Sequence, residues 1–119
     1  MFTSYFWRFH LKEVPHLVSI ALKTPEWFKG RRYPALAPTS NMLKMGEEEY
    51  RWKYRMILAP LDPGQVLAEL GEEAILLCWE PPCRFCHRRL VAEWLEKRLG
   101  IEVPELPSNY NPRQKDLFE

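Results

Sequence analysis

Residues 74–99 constrain this chain most. They read AILLCW, then EPPCRF, then CHRRLVAEWLEKRL, with Gly100 next. Six apolar residues without alternation suit a strand buried on both faces. The proline-bearing turn that follows breaks any periodicity. From residue 86 to 99 the apolar positions Leu90, Val91, Trp94, Leu95 and Leu99 recur at helical spacing, and Gly100 is a natural stop. A short apolar stretch, residues 101–103, then offers a last strand. Strand, helix and strand in that order imply a right-handed crossover and a parallel sheet.

The rest of the chain fits that frame. Residues 2–9 (FTSYFWRF) suit a first strand, and residues 17–22 (LVSIAL) a second, buried one. Residues 23–38 form a long loop of prolines, aromatics and cations. A short helix over 39–44, capped by Thr39 or Ser40, precedes a helix over 47–58 opened by three glutamates. Tyr50, Tyr54, Ile57 and Leu58 share one face of it, and Pro60 ends it. Asp62 followed by Pro63 starts another helix that runs to Leu70. The expected architecture is α/β: a single three-layer domain with a small, mainly parallel, Rossmann-like sheet over residues 1–106. From Pro107 the composition turns polar (PSNYNPRQKDLFE), so residues 107–119 are expected to be a flexible tail.

Composition narrows the function classes. A chain of 119 residues, 46% hydrophobic and 28% charged, can bury a core unaided. A formal net charge of +1 gives no global case for nucleic acid or acidic membranes. No apolar stretch reaches the length of a membrane span, and the N-terminus lacks signal-peptide order, so a cytoplasmic location is expected. Three cysteines, an odd number in a reducing compartment, argue against a disulfide framework.

In parallel sheets, ligands bind beyond the carboxyl ends of strands. The turn after residue 79 lies in such a place and carries Glu80, Cys83, Cys86, His87, Arg88 and Arg89. A helix start favours anions and stabilises a thiolate, and the two arginines add to both effects. Glu80, Cys86, His87 and Arg88 are therefore the candidate catalytic residues. The plainer alternative is a buried small Cys86, a hydrogen-bonding His87 and a solvated pair of arginines. Cys83 to His87 spells the c-type haem attachment pattern, rejected for want of an export signal and an axial methionine context. A cysteine-phosphatase reading of Cys83 to Arg89 lacks the glycines of a phosphate cradle. Zinc on Cys78, Cys83, Cys86 and His87 lacks a second spaced pair. No metal and no cofactor is expected.

At these residues the chain resembles the domain of unknown function 488 family, in its short bacterial and phage-like branch. The resemblance rests on residues 76–80 (LLCWE), on Cys86, His87 and Arg88, and on Val91, Trp94 and Leu95 in the helix. Thr3, Ser4, Tyr5 and Phe6, Val18 to Ile20, Pro25, Trp27, Gly30, Tyr33, residues 36–38, Tyr50 and Tyr54 agree upstream. It covers about residues 2–106. Trp79 and Cys83 depart from the family pattern. The resemblance implies the fold and a site at Glu80, Cys86, His87 and Arg88, but no reaction.

Two further stretches suggest partners. Gln114, Leu117 and Phe118 match the pentapeptide by which bacterial proteins bind the replicative sliding clamp. Residues 27–33 (WFKGRRY) interleave stacking faces with Lys29, Arg31 and Arg32, a combination suited to nucleic acid or a nucleotide. The alternative is that the aromatics anchor the loop while the charges face water. Two functions follow: a DNA-maintenance accessory with an anion site at the turn, also using Arg88 and Arg89, or an enzyme with Cys86 as nucleophilic or redox thiol.

Overall fold

The computed structural model describes residues 1–80 and 85–110. Four strands, β1 (Phe2–Tyr5), β2 (Leu17–Ser19), β3 (Arg31–Arg32) and β4 (Ile75–Cys78), form one sheet in the order β1-β4-β2-β3. Every pairing is parallel. Thr3 and Val18 flank Leu76 from either side, which puts the apolar β4 at the centre of the sheet. The expected α/β class with a parallel sheet is what the chain adopts.

Alternation along β4 divides the core. Leu76 joins Val18, Ile20 and Ala74 on one face, under three helices: α1 (Glu47–Leu58), α2 (Pro63–Leu70) and α3 (His87–Leu99). Tyr54 and Leu58, Val66 and Leu70, and Val91 and Leu95 are the side chains those helices bury there. Ile75 and Leu77 join Leu17 on the opposite face, beneath Phe6, Phe9 and Leu106. That second layer contains a 3-10 turn (Phe6–Phe9) and aromatic loops instead of α-helices.

The helix boundaries follow local chemistry. Asp62 accepts from the backbone N–H groups of Gly64 and Gln65 at 2.9 and 3.4 Å, and Pro63 occupies the first helical position. Gly100 closes α3 at a φ of 67°, where a side chain would be strained.

Three strand expectations are corrected. The first strand stops at Tyr5, because Phe6 and Phe9 turn back to cover the sheet. The second is shorter than residues 17–22 and ends at Ser19. The last strand does not lie over residues 101–103. The chain instead meets β1 slightly later, with Thr3 N–H bonded to Pro104 O at 3.1 Å and Leu106 N–H to Thr3 O at 2.8 Å. Pro104 supplies a carbonyl but has no N–H, so only a single bridge forms, between Thr3 and Glu105. Beyond it the chain stays on the domain through Tyr110, which packs against the second core layer, while Arg8 donates to the carbonyls of Leu106 and Pro107. Residues 111–119, with Gln114, Leu117 and Phe118, lie outside the described residues. Among the described residues no helix is long and apolar enough to cross a membrane.

Candidate functional site

The sheet order locates the site. After β4 the chain crosses through α3 towards the β1 edge, and after β2 it moves to the opposite edge at β3. Neighbouring strands whose connections part in this way leave a crevice beyond their carboxyl ends. A cavity of about 380 Å³ occupies that position. Ala21, Leu22 and Lys23 line it from the β2 side, and Cys78, Trp79 and Glu80 from the β4 side. Cys86 and His87, at the start of α3, and Tyr50 of α1 add to the wall.

Cys78 is the last residue of β4 and shares the helix-facing side with Leu76. Cys86 is the N-cap residue of α3, which packs on that side. The Sγ atoms of Cys78 and Cys86 face each other at the crevice, and their Cα atoms are 7.2 Å apart, just beyond the usual span of a formed disulfide, so a bond between them needs a small closing movement of the backbone. To the expectation from cysteine count the structure adds a local juxtaposition of Cys78 and Cys86 at the crevice. Eight residues of separation conceal the pair in sequence, because only the tertiary fold brings the start of α3 to the end of β4.

His87 spans the crevice. Its ring lies 2.6 Å, through Nε2, from the carbonyl oxygen of Ile20, just past β2. A carbonyl only accepts, so Nε2 carries the hydrogen and Nδ1 is left as the acceptor of the neutral ring. Nδ1 lies 3.7 Å from Cys86 Sγ. Burial pushes the His87 pKa down to about 4, with the Arg88 charge acting in the same direction against the Ile20 bond. The Tyr54 ring stands against the imidazole at 5.4 Å, and its hydroxyl donates to Leu36 O at 2.6 Å.

Arg88 sits behind the sulfurs, only 1% exposed. Its Nη1 donates to Cys78 Sγ at 3.0 Å and to Glu80 O at 2.6 Å. Nε and Nη2 grip the Glu105 carboxylate at 3.0 and 2.7 Å. Arg89 donates to Thr3 Oγ1 and Val103 O at 2.7 and 2.8 Å. The Arg88 guanidinium is thus satisfied by protein groups, whereas Arg89 uses only Nη1 in these bonds and lines a second cavity beside Cys86; neither arginine lines the 380 Å³ cavity. Burial alone would raise the Glu105 pKa; the bonds from Arg88 and Thr3 and the charges of both arginines outweigh it and hold the carboxyl below its ordinary value.

Of the sequence-derived candidates, Cys86, His87 and Glu80 line one cavity, while Arg88 supports it from behind through Cys78. Two contributors carry no obvious sequence signal: Glu105, which follows Pro104 in an irregular segment, and the Ile20 carbonyl. Cys78 was visible only as an apolar strand residue and a fourth, unspaced zinc donor. The loop at residues 27–33 lies elsewhere. Arg31 donates to Glu69 O and Leu70 O at 3.0 and 2.5 Å, whereas Lys29 and Arg32 are exposed. Phe28 packs edge-on against Phe6 at 5.5 Å, and Trp27 against His10 at 5.0 Å. Those aromatics anchor the loop to the domain. Comparisons with protein-family models, curated proteins and solved structures find no match to this chain.

Proposed function

We propose that this protein is a thiol–disulfide enzyme whose working pair is Cys78 and Cys86. The observation that carries the reading is the juxtaposition of two buried cysteines on the wall of the cavity beyond the ends of β4 and β2. Cys86 is the entry sulfur, because it lines both the main cavity and a second, shallower one beside Arg89 and Glu93. The thiolate of a small thiol attacks Cys86 Sγ. The Cys78–Cys86 bond breaks, its electron pair leaves on Cys78, and a mixed disulfide forms on Cys86. Arg88 Nη1, 3.0 Å from Cys78 Sγ, meets the charge that develops there. A second small thiolate attacks the substrate sulfur of the mixed disulfide and releases the oxidised small molecule. Two thiols become one disulfide, and the protein becomes the dithiol. Exposed Leu22, Leu43 and Trp79 rim the cavity and suit a substrate with an apolar part.

The family resemblance supports the same place in the fold through Glu80, Cys86, His87 and Arg88, and adds no reaction. The other reading, a DNA-maintenance accessory tethered to a sliding clamp, gains little here: Arg88 and Arg89 are engaged within the fold, and the tail motif lies outside the described residues. The test is alkylation followed by intact mass. One adduct, on Cys83, is expected for the oxidised chain and three after reduction, with full return on adding glutathione disulfide. Turnover of hydroxyethyl disulfide with glutathione should vanish in Cys86→Ser. Three adducts at every redox poise, or activity that survives Cys86→Ser, would end this reading.

A further inference from the structure

The same sulfurs, once reduced, have a third donor beside them. Ligand atoms of Cys78, Cys86 and His87 all lie within 4.8 Å of one another, and all three residues are buried. We infer that the reduced protein binds one thiophilic divalent cation of the zinc class through Cys78 Sγ, Cys86 Sγ and His87 Nδ1, with a fourth coordination position open to the cavity.

The histidine carries the argument. A metal-ligating imidazole characteristically donates its other ring N–H to a carbonyl or carboxylate, which fixes the tautomer and the ring plane. His87 already has that arrangement: Nε2 donates to Ile20 O at 2.6 Å, and Nδ1 faces Cys86 Sγ. The Cys86–His87 separation also fits, while the two sulfurs must part to about 3.8 Å to share a tetrahedral ion. Zinc bonds of about 2.3 Å to sulfur and about 2.05 Å to nitrogen at a tetrahedral angle place the two donors about 3.6 Å apart. The observed distance is 3.7 Å. Arg88 donates to the remaining ligand, Cys78 Sγ, and so holds that sulfur from behind. Two thiolates also neutralise a dication.

The three residues share the wall of the 380 Å³ cavity, so the fourth position faces space where water or a substrate can enter. Three protein ligands with one open position is the pattern of catalytic zinc. A spacing rule misses it, because Cys86 and His87 are adjacent in sequence and Cys78 lies on a strand. Disulfide and metal exclude each other, since both use the same sulfur electron pairs. The inference therefore rests on the reading of Cys78 and Cys86 as a reversible pair, but only on its reduced half.

The experiment titrates cobalt(II) into the full chain, reduced with a phosphine in metal-free buffer. One equivalent should bind, with a thiolate-to-cobalt charge-transfer band and the intense visible bands of tetrahedral cobalt, both bleached by zinc. The oxidised chain should show none of these. Cys78→Ser, Cys86→Ser and His87→Ala should each weaken binding at least tenfold, while Cys83→Ser leaves it unchanged. Circular dichroism of the metal-free variants checks that each folds. Should His87→Ala not fold, X-ray absorption of the zinc-loaded native chain decides, with two sulfur and one imidazole scatterers expected. Absence of bands in the reduced chain, binding that survives His87→Ala, loss in Cys83→Ser, or a third sulfur scatterer would each overturn the site. A pair that cycles between dithiol and disulfide without binding metal overturns this inference alone. Metal binding by sulfurs that never form a disulfide overturns the redox reading alone.

Discussion

Arg88 and Glu105 are joined by two parallel bonds, at 3.0 and 2.7 Å, between a guanidinium that is 1% exposed and a carboxylate on the segment beyond α3. The pair ties the start of α3 to the chain beside β1, and through Nη1 it reaches Cys78. Removing one partner of such a pair leaves the other charge buried, a loss usually near 3–5 kcal/mol. Glu105 is itself partly exposed, so Glu105→Ala should destabilise the domain by about 3 kcal/mol. A urea unfolding midpoint checks this. A change within 0.5 kcal/mol, the usual range for surface sites, would show that the pair is not the clamp described.

The same carboxylate sets an acid limb. Burial, the first influence on Glu105, raises its pKa, but the Arg88 and Thr3 bonds and the arginine charges lower it further, to a net value below 4.5. A carboxylate depressed in the folded state contributes stability that is complete above its unfolded pKa. That contribution is lost as pH falls through the lower, folded value. Native stability should therefore decline below about pH 4.5, and Glu105→Gln should flatten that limb. An acid limb of the same slope in both proteins would assign it to other groups.

How much of this was legible in the sequence depended on locality. Helices α1 and α2 were readable to the residue, because Glu47, Pro60, Asp62 and Pro63 act on the backbone beside them. The central strand announced itself through an apolar run that only a doubly buried position explains. The candidate site was legible as a place, since a turn after such a strand lies where crevices open. Its internal partners were not. Arg88 reads as a helix-surface cation until Glu105 and Cys78 are brought to it from 17 and 10 residues away. The position of the last pairing with β1 was likewise set by where Pro104 falls against Thr3, a tertiary detail without local signature.

Tyr54 supports the histidine side of the cavity. Its fully buried hydroxyl donates to Leu36 O at 2.6 Å, and its ring meets His87. Tyr54→Phe keeps the ring but leaves the Leu36 carbonyl without that donor. The expected cost is about 1–3 kcal/mol, seen as a lower urea midpoint with an unchanged slope. Cobalt binding by the reduced variant should persist, because the imidazole keeps its bond to Ile20. A native midpoint would show that this hydroxyl bond contributes no net stability.

The two sulfurs should also differ in order of reaction. Cys86 lines two surface cavities and begins a helix, whereas Cys78 lies at the end of the central strand with Arg88 behind it. Attack from solvent therefore falls on Cys86, and Cys78 serves as leaving and resolving group. In a Cys83→Ser background, adding Cys78→Ser should leave a protein that traps a stable mixed disulfide with an aromatic disulfide reagent. Adding Cys86→Ser instead should slow that reaction at least tenfold, a barrier difference of about 1.4 kcal/mol. Stopped-flow absorbance of the released thiolate measures both rates. Equal rates would remove the claimed order of reaction, and the reverse order would make Cys78 the entry sulfur.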